Sequence, residues 1–278
     1  MQDFVKPLLD LCRRAGDVIC EHYHAPHAAE FEAKGDNSPL TRADLDSHII
    51  LQGGLEGLDG DIPVLSEESG AVEVAQRLSW PRFWLVDPLD GTKEFLARTG
   101  EFTINIALID NHAPVLGVLY LPLSHRAYVG IPGEGAWCYQ YSDEAQWSQR
   151  VVATSALREG ESLTVLASRR HHGPKLDSCF NWLHQHWGPT RRINSGSALK
   201  FCQMVEGDGD FYPRFSPCCE WDTAAGQALL EAAGGSLLGM DGRPFRYNTR
   251  QSLLNPDFYA ISDAHNPFWR GLFEPAGP

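Results

Sequence analysis

The chain has 278 residues, of which 43% are hydrophobic and 21% charged, and it carries a formal net charge of −13. That length can bury a sizeable core in one domain or two packed lobes. So acidic a balance, with no basic block, excludes a nucleic-acid polymer as the main partner, although a small anion can still bind where metal ions invert the local charge.

Phe4, Leu8, Leu11, Cys12, Ala15, Val18, Ile19 and Tyr23 recur at helical spacing and predict an amphipathic first helix. A polar loop over 33–39 follows. Thr41 reads as the N-cap of a second helix, with Asp44 three residues on and Leu45, Ile49 and Ile50 along the apolar face. Residues 61–66 read as a short strand ending in Glu67, Glu68 and Ser69, and Phe83 to Val86 as a buried strand. Pro88 fixes its own φ and lacks an N–H, so the chain is expected to turn there rather than continue a ladder. Gly91 and Thr92 are expected to open a helix. Strands over 102–109, 114–120 and 127–131, punctuated by Gly117, Pro122 and Gly133-Glu134-Gly135, suggest an antiparallel meander. The polar stretch 141–149 reads as a link between two lobes. Beyond it, strands at 163–168, 192–194 and 211–212 alternate with helices at 176–187, 197–205 and 221–233, which favours an α/β architecture.

The longest apolar stretches, such as Val115 to Leu121, are strand-length, so no membrane span is expected, and the N-terminus lacks the pattern of a signal peptide. Seven scattered cysteines, an odd number, argue for reduced thiols and a cytosolic setting. His22, His24 and His27 follow a helix C-terminus, where histidines complement the dipole, and are not expected to hold a metal; His184 and His186 fall on different helix faces. No Walker loop, dinucleotide fingerprint or serine-hydrolase elbow is present.

Asp87 and Asp90 flank Pro88-Leu89 where the buried strand runs into a predicted helix start, whose exposed N–H groups favour an anion. Two carboxylates there suit hard cations and a phosphate, but an Asx-rich turn explains the same two residues. Asp36, Asp44, Glu67 and Asp222 also stand at predicted element ends. Two cations ~3.5–4 Å apart would clamp the attacking and leaving oxygens of a phosphoryl transfer. For Asp44 taken alone, helix capping is the simpler reading.

Asp87-Pro88-Leu89-Asp90-Gly91-Thr92, with Glu67-Glu68-Ser69 upstream and Trp221-Asp222-Thr223-Ala224-Ala225 downstream, resembles the lithium-sensitive, magnesium-dependent phosphatase superfamily that includes the inositol monophosphatases. Four further stretches narrow the resemblance to its CysQ-type 3'(2'),5'-bisphosphate nucleotidase branch. They are Gly91 to Phe95, Lys34 to Asp44, Ser195-Gly196-Ser197-Ala198-Leu199-Lys200 and Tyr212-Pro213-Arg214-Phe215.

The resemblance implies a layered α/β sandwich of two fused lobes with the site between them. A metal-binding lobe would span about 1–145 and a nucleotide-binding lobe about 146–278. It implies Mg²⁺-dependent removal of the 3'-phosphate of adenosine 3',5'-bisphosphate, with 3'-phosphoadenylyl sulfate as a related substrate, recycling a by-product of sulfate assimilation. Glu67, Asp87 and the Leu89 carbonyl would hold one ion, Asp87, Asp90 and Asp222 a second, and Asp36 with Asp44 a third. Asp44, Thr92 and Glu67 would form the catalytic set, with Thr92 and Asp44 aiming the attacking water. Glu67, Leu89, Asp90, Gly91, Thr92 and Asp222 would bind substrate, backbone groups of Asp90, Gly91 and Thr92 meeting the scissile phosphate, while Ser197, Lys200 and Arg214 would grip the nucleotide and its second phosphate. A cytoplasmic location is implied, some relatives lying at the inner face of the membrane.

Cys218-Cys219-Glu220 departs from the pattern, and the sequence leaves open whether Glu220 loosens anion binding or points to solvent. Trp221 reads as a core aromatic. Two other functions remain: an inositol or other sugar phosphatase, and an inactive metal- or nucleotide-binding regulator.

Overall fold

The computed structural model describes residues 1–25, 31–33, 39–169, 173–275 and 277–278. In chain order the elements are α1 (Gln2–His24), the ribbon β1 (Phe31–Ala33) and β2 (Pro39–Thr41), α2 (Arg42–Leu58), β3 (Val64–Ser66), α3 (Ala71–Gln76), β4 (Arg82–Asp90) and α4 (Thr92–Leu96). There follow β5 (Thr103–Asp110), β6 (Ala113–Leu121), β7 (Arg126–Ile131), β8 (Gly135–Tyr141) and β9 (Trp147–Val151). The second half supplies β10 (Leu163–Ala167), α5 (Pro174–His186), β11 (Thr190–Asn194), α6 (Leu199–Val205), β12 (Phe211–Arg214), α7 (Ala224–Ala232), β13 (Ser236–Gly239) and β14 (Phe258–Ile261).

The strands β3 to β9 lie side by side in sequence order as a seven-stranded sheet, with β3 parallel to β4 and the rest antiparallel. A five-stranded sheet has the order β11-β10-β12-β14-β13, with β10 parallel to both its neighbours. Strand alternation sorts side chains into the layers between. Trp84, Val86, Ile104 and Ile106 share a core with α1 and α2, while Phe83, Leu85, Ala107 and Ile109 pack with α6 and α7. The five-stranded sheet turns Leu166, Tyr212, Phe258 and Ala260 toward that same middle layer and Leu163, Val165, Phe211 and Tyr259 toward α5 and the C-terminal turns. The result is an α-β-α-β-α stack.

The structure departs from several sequence expectations. Ile49, expected on the apolar face of α2, is 67% exposed, and the helix buries Ala43, Leu51 and Leu55 instead. Pro88 does not end its strand: β4 runs on to Asp90 across a register shift between Asp87 and Asp90, and a bulge needs no N–H from the proline. Residues 141–149 do not link lobes. Tyr141 pairs with Trp147 across a hairpin whose second strand is the sheet edge, which is why the stretch is polar. Gly117 is not turn punctuation either. It pairs with Gly130 in mid-sheet, and a Cβ there would stand 2.3 Å from the Ala225 carbonyl of α7. The helix crosses on this pair because neither strand offers it a side chain.

Candidate active site

The bulge in β4 is what makes a site out of a strand. Regular alternation would send residues three apart to opposite faces. The shift lets Asp87 and Asp90 converge while Leu89 is turned into the core, 1% exposed. The Leu89 N–H donates to Asp87 Oδ1 at 3.0 Å, and Ser47 Oγ donates to the Pro88 carbonyl at 2.8 Å, so the bulge is held from both sides. Gly91 then takes φ +96°, a left-handed conformation that a side chain resists, and a Cβ there would meet the Glu101 carbonyl at 2.8 Å. From Gly91 the chain enters α4, whose first turn presents N–H groups.

Asp222 comes from the other side, in a 3-10 turn over Glu220–Asp222 that precedes α7. Its Oδ2 accepts the Cys219 N–H at 2.7 Å. Carboxylate oxygens of Asp87, Asp90 and Asp222 all lie within 4.8 Å of one another. Burial, reinforced by Glu67, Asp90, Asp222 and Asp44, raises the Asp87 carboxyl well above the usual range, and burial followed by Asp90 brings Asp222 up to about 6. Close, buried carboxylates repel one another unless protons or cations intervene.

Ser197, expected to grip nucleotide, lines the pocket and turns its hydroxyl to the acid. Oγ lies 2.7 Å from Asp90 Oδ2, which also accepts the Ala198 N–H at 2.5 Å. Ser197 sits at φ +54°, an uncommon conformation for a side-chain-bearing residue, and so keeps a loop of the second sheet against the acid. Asp44 is 3% exposed and closes the capping box of α2, its Oδ2 accepting the Thr41 N–H at 2.7 Å. Its Oδ1 accepts the Thr92 hydroxyl at 3.3 Å. Capping and the contact with Thr92 therefore hold together. Asp36 lies outside the described residues.

Asp87, Asp90, Thr92, Ser197 and Asp222 line a pocket of about 340 Å³ that also contains Glu67, Lys200 and Arg214. Lys200 is 1% exposed, with Nζ donating to the Ser195 and Ser197 carbonyls at 3.1 and 2.7 Å and standing 5.0 Å over the Tyr212 ring. Burial, then Arg214, lowers its pKa to about 8. Arg214 donates to Tyr212 Oη and to the Ser216 and Pro217 carbonyls. Both cations sit on the wall formed by the second half of the chain.

Sequence reasoning missed Thr103 and Asn105. They lie on β5 opposite Asp90 and Asp87, both fully buried, with Thr103 Oγ1 donating to Asn105 Oδ1 at 2.7 Å and standing 3.0 Å from Ser197 Oγ. Two polar residues two apart on one face of an apolar strand were the available signal. Cys218, Cys219 and Trp221 also line the pocket, and Trp221 packs against the middle core layer as well. His22 pairs with Asp46 at 2.8 Å, away from the site, and His27 lies outside the described residues.

Comparison with known proteins gives a consistent picture. The model of the inositol monophosphatase family matches residues 1–266. The 3'(2'),5'-bisphosphate nucleotidase CysQ of Escherichia coli O6:H1 is 43% identical over 249 residues, covering 89% of this chain and 95% of the relative. Its counterpart in Salmonella typhimurium is 42% identical over 255 residues, covering 91% and 98%. A crystal structure of CysQ from Bacteroides thetaiotaomicron superposes with a TM-score of 0.82 at 38% identity, covering 95% of this chain and 99% of that one.

Proposed function

The chain belongs to the inositol monophosphatase family, and from that premise we propose that it is a 3'(2'),5'-bisphosphate nucleotidase that hydrolyses the 3'-phosphate of adenosine 3',5'-bisphosphate to AMP and phosphate. The observation that carries this reading is the convergence of Asp87, Asp90 and Asp222 in a pocket that also bears Lys200 and Arg214. The acids suit cations and a scissile phosphate, and the two basic groups suit a second phosphate, which an inositol monophosphate lacks.

The donor set fits hard cations. It consists of carboxylate oxygens and one carbonyl, it gathers negative charge in a buried place, and Mg²⁺ prefers such ligands. We assign Glu67, Asp87 and the Leu89 carbonyl to one Mg²⁺, Asp87, Asp90 and Asp222 to a second, and Asp36 with Asp44 to a third. Bound there, the ions would neutralise phosphate charge and make water a better nucleophile. The protein's own groups do the rest. Thr92 donates its proton to Asp44, which turns the hydroxyl's lone pairs outward to receive and orient a water. The N–H groups of Gly91 and Thr92, at the start of α4, would meet the phosphate oxygens. Lys200 and Arg214 keep further donors for the second phosphate, and Arg can present a fork. A neighbouring cavity of about 310 Å³ shares Ser168, Tyr212 and Arg214 with the pocket and is lined by Pro213, Phe215 and Leu176, apolar enough for a nucleobase.

The first lobe would thus supply most of the metal site and the second Asp222 and the nucleotide wall. Seven free thiols favour a reducing, cytoplasmic setting, and no helix among the described residues is long and apolar enough to cross a membrane.

The deciding experiment measures phosphate release from adenosine 3',5'-bisphosphate and from inositol 1-phosphate, with Mg²⁺ present or chelated. Mg²⁺-dependent release from the nucleotide is expected. Preference for the inositol ester would make the protein a sugar phosphatase, and release from neither would make it a silent binder.

A further inference from the structure

Glu220 neither borders the pocket nor reaches solvent. It is 0% exposed, and its Oε2 accepts the Asn248 N–H at 2.8 Å. Asn248 is itself clasped twice by a buried arginine: Arg77 Nη1 donates to Asn248 Oδ1 at 2.6 Å, and Asn248 Nδ2 donates to the Arg77 carbonyl at 2.6 Å. Arg77 is 1% exposed and spends its other terminal nitrogen on the Arg250 and Gln251 carbonyls. It stands in the short turn just before β4, the strand that carries Asp87 and Asp90. Glu220 stands in the turn that carries Asp222. A continuous buried chain of hydrogen bonds therefore runs from the base of one acidic arm to the base of the other.

We propose that Arg77, Asn248 and Glu220 form a strut that positions Asp222 against Asp87 and Asp90, with Glu220 as the positioning residue. This rests on the reading of those three acids as a cation site. The turn is only three residues long and is tied to its own entry by the Cys219 N–H, which donates to an Asp222 oxygen. What orients it is outside it. Asn248 holds it through Glu220, and Asn255 holds it through the Cys219 carbonyl at 2.7 Å and Thr223 Oγ1 at 3.0 Å. A buried network with an arginine at one end and a glutamate at the other is an expensive way to fill space, since apolar side chains of the same volume serve stability as well or better. Its hydrogen bonds do fix an orientation, and a cation ligand displaced by a fraction of an ångström loses affinity. Asn248 accepts a left-handed φ of +57° to present its N–H to Glu220, a further sign that the geometry is imposed.

The test is direct Mg²⁺ titration by calorimetry, alongside the Mg²⁺ dependence of phosphate release, for wild type, Asp222→Asn, Glu220→Ala and Glu220→Gln. Glu220→Ala is expected to weaken Mg²⁺ binding about tenfold and to shift the half-saturating Mg²⁺ by the same factor. Its KM for nucleotide at saturating Mg²⁺ should stay within about twofold of wild type. Glu220→Gln keeps an acceptor for the Asn248 N–H and should recover to within about threefold. A monodisperse Glu220→Ala with native circular dichroism and wild-type Mg²⁺ affinity would overturn the strut, as would a Glu220→Gln that loses as much as the alanine. Should the alanine variant fail to fold, Arg77→Lys keeps the charge but gives up the fork. A several-fold loss of Mg²⁺ affinity there supports the strut, and none overturns it. A wild type that binds no Mg²⁺, or an Asp222→Asn that binds it normally, would instead remove the cation site beneath the proposal.

Discussion

Asp44 reaches both Thr41 and Thr92 with one carboxylate: Oδ2 takes the Thr41 N–H that closes the cap of α2, and Oδ1 takes the Thr92 hydroxyl from the start of α4. A single acid thus fixes a helix end and orients a hydroxyl at the mouth of the acidic cluster. The two roles separate by mutation. Thr41→Ala should cost about 1 kcal/mol of stability, the usual value of a lost N-cap, and leave kcat within a few-fold, because the Thr92 contact survives. Thr92→Val should leave the denaturation midpoint nearly unchanged and lower kcat by roughly 10²-fold, the scale of a lost positioning or proton-handling group. Urea melts paired with steady-state rates check both; a Thr92→Val enzyme at wild-type kcat would remove the hydroxyl from the mechanism.

How far the sequence reveals this site depends on how local each signal is. The cap of α2 and the helical face of α1 are written in residues three and four apart, and both form where the spacing puts them. The bulge at Pro88 is not local. Proline forbids a ladder bond, but whether the strand stops or steps around it depends on β5, where Asn105 and Thr103 stand opposite Asp87 and Asp90. Likewise Gly117 looks like a turn residue until α7 lies across it. Glu220 was undecidable from sequence because its partners are 28 and more than 100 residues away, at Asn248 and Arg77.

The acidic cluster should make the metal-free protein unusually tolerant of mild acid. Asp87 and Asp222 have folded-state pKa values above their unfolded values, so between pH ~4 and ~6 the native state binds more protons than the unfolded chain. Stability then falls as pH rises through that window. Glu220 and Glu231, raised by burial, add the same sign, while His48, lowered by burial, opposes it. With EDTA present, Asp222→Asn should therefore lose part of the wild-type drop in melting temperature between pH 5 and pH 7. Mg²⁺ should stabilise wild type more at pH 7.5 than at pH 5, because protons and cations compete for the same oxygens. Equal Mg²⁺ stabilisation at both pH values would contradict the cluster as the binding site.

Ser197 gives a prediction in which stability and activity separate. Its left-handed φ costs a side-chain-bearing residue about 1 kcal/mol that glycine does not incur. Its hydroxyl meanwhile anchors Asp90 Oδ2. Ser197→Gly should thus be more stable than Ser197→Ala by roughly 1 kcal/mol, yet both should lose a similar part of kcat/KM, about tenfold, through the freed carboxylate. Thermal melts and progress curves on the bisphosphate separate the two effects. A glycine variant with full activity would show that the Ala198 N–H alone suffices to hold Asp90.

The cationic wall decides substrate choice, and its two members should behave differently because their burial differs. Lys200 spends two of its donors on the Ser195 and Ser197 carbonyls, so Lys200→Met should loosen the loop that holds Asp90 and damage turnover of any phosphate ester. Among the described residues Arg214 bonds its own loop and Tyr212, and it feels the charge of Asp222 without a hydrogen bond to it. Arg214→Ala should therefore raise KM for adenosine 3',5'-bisphosphate by about 10–100-fold, the cost of a lost charge-assisted pair. It should change hydrolysis of a 3'-monophosphate lacking the 5'-phosphate by less than threefold. Arg214→Lys should fall between, since it keeps the charge and loses the fork. The ratio of kcat/KM on the two nucleotides, measured for each variant, checks this; equal losses on both would move the second phosphate away from Arg214.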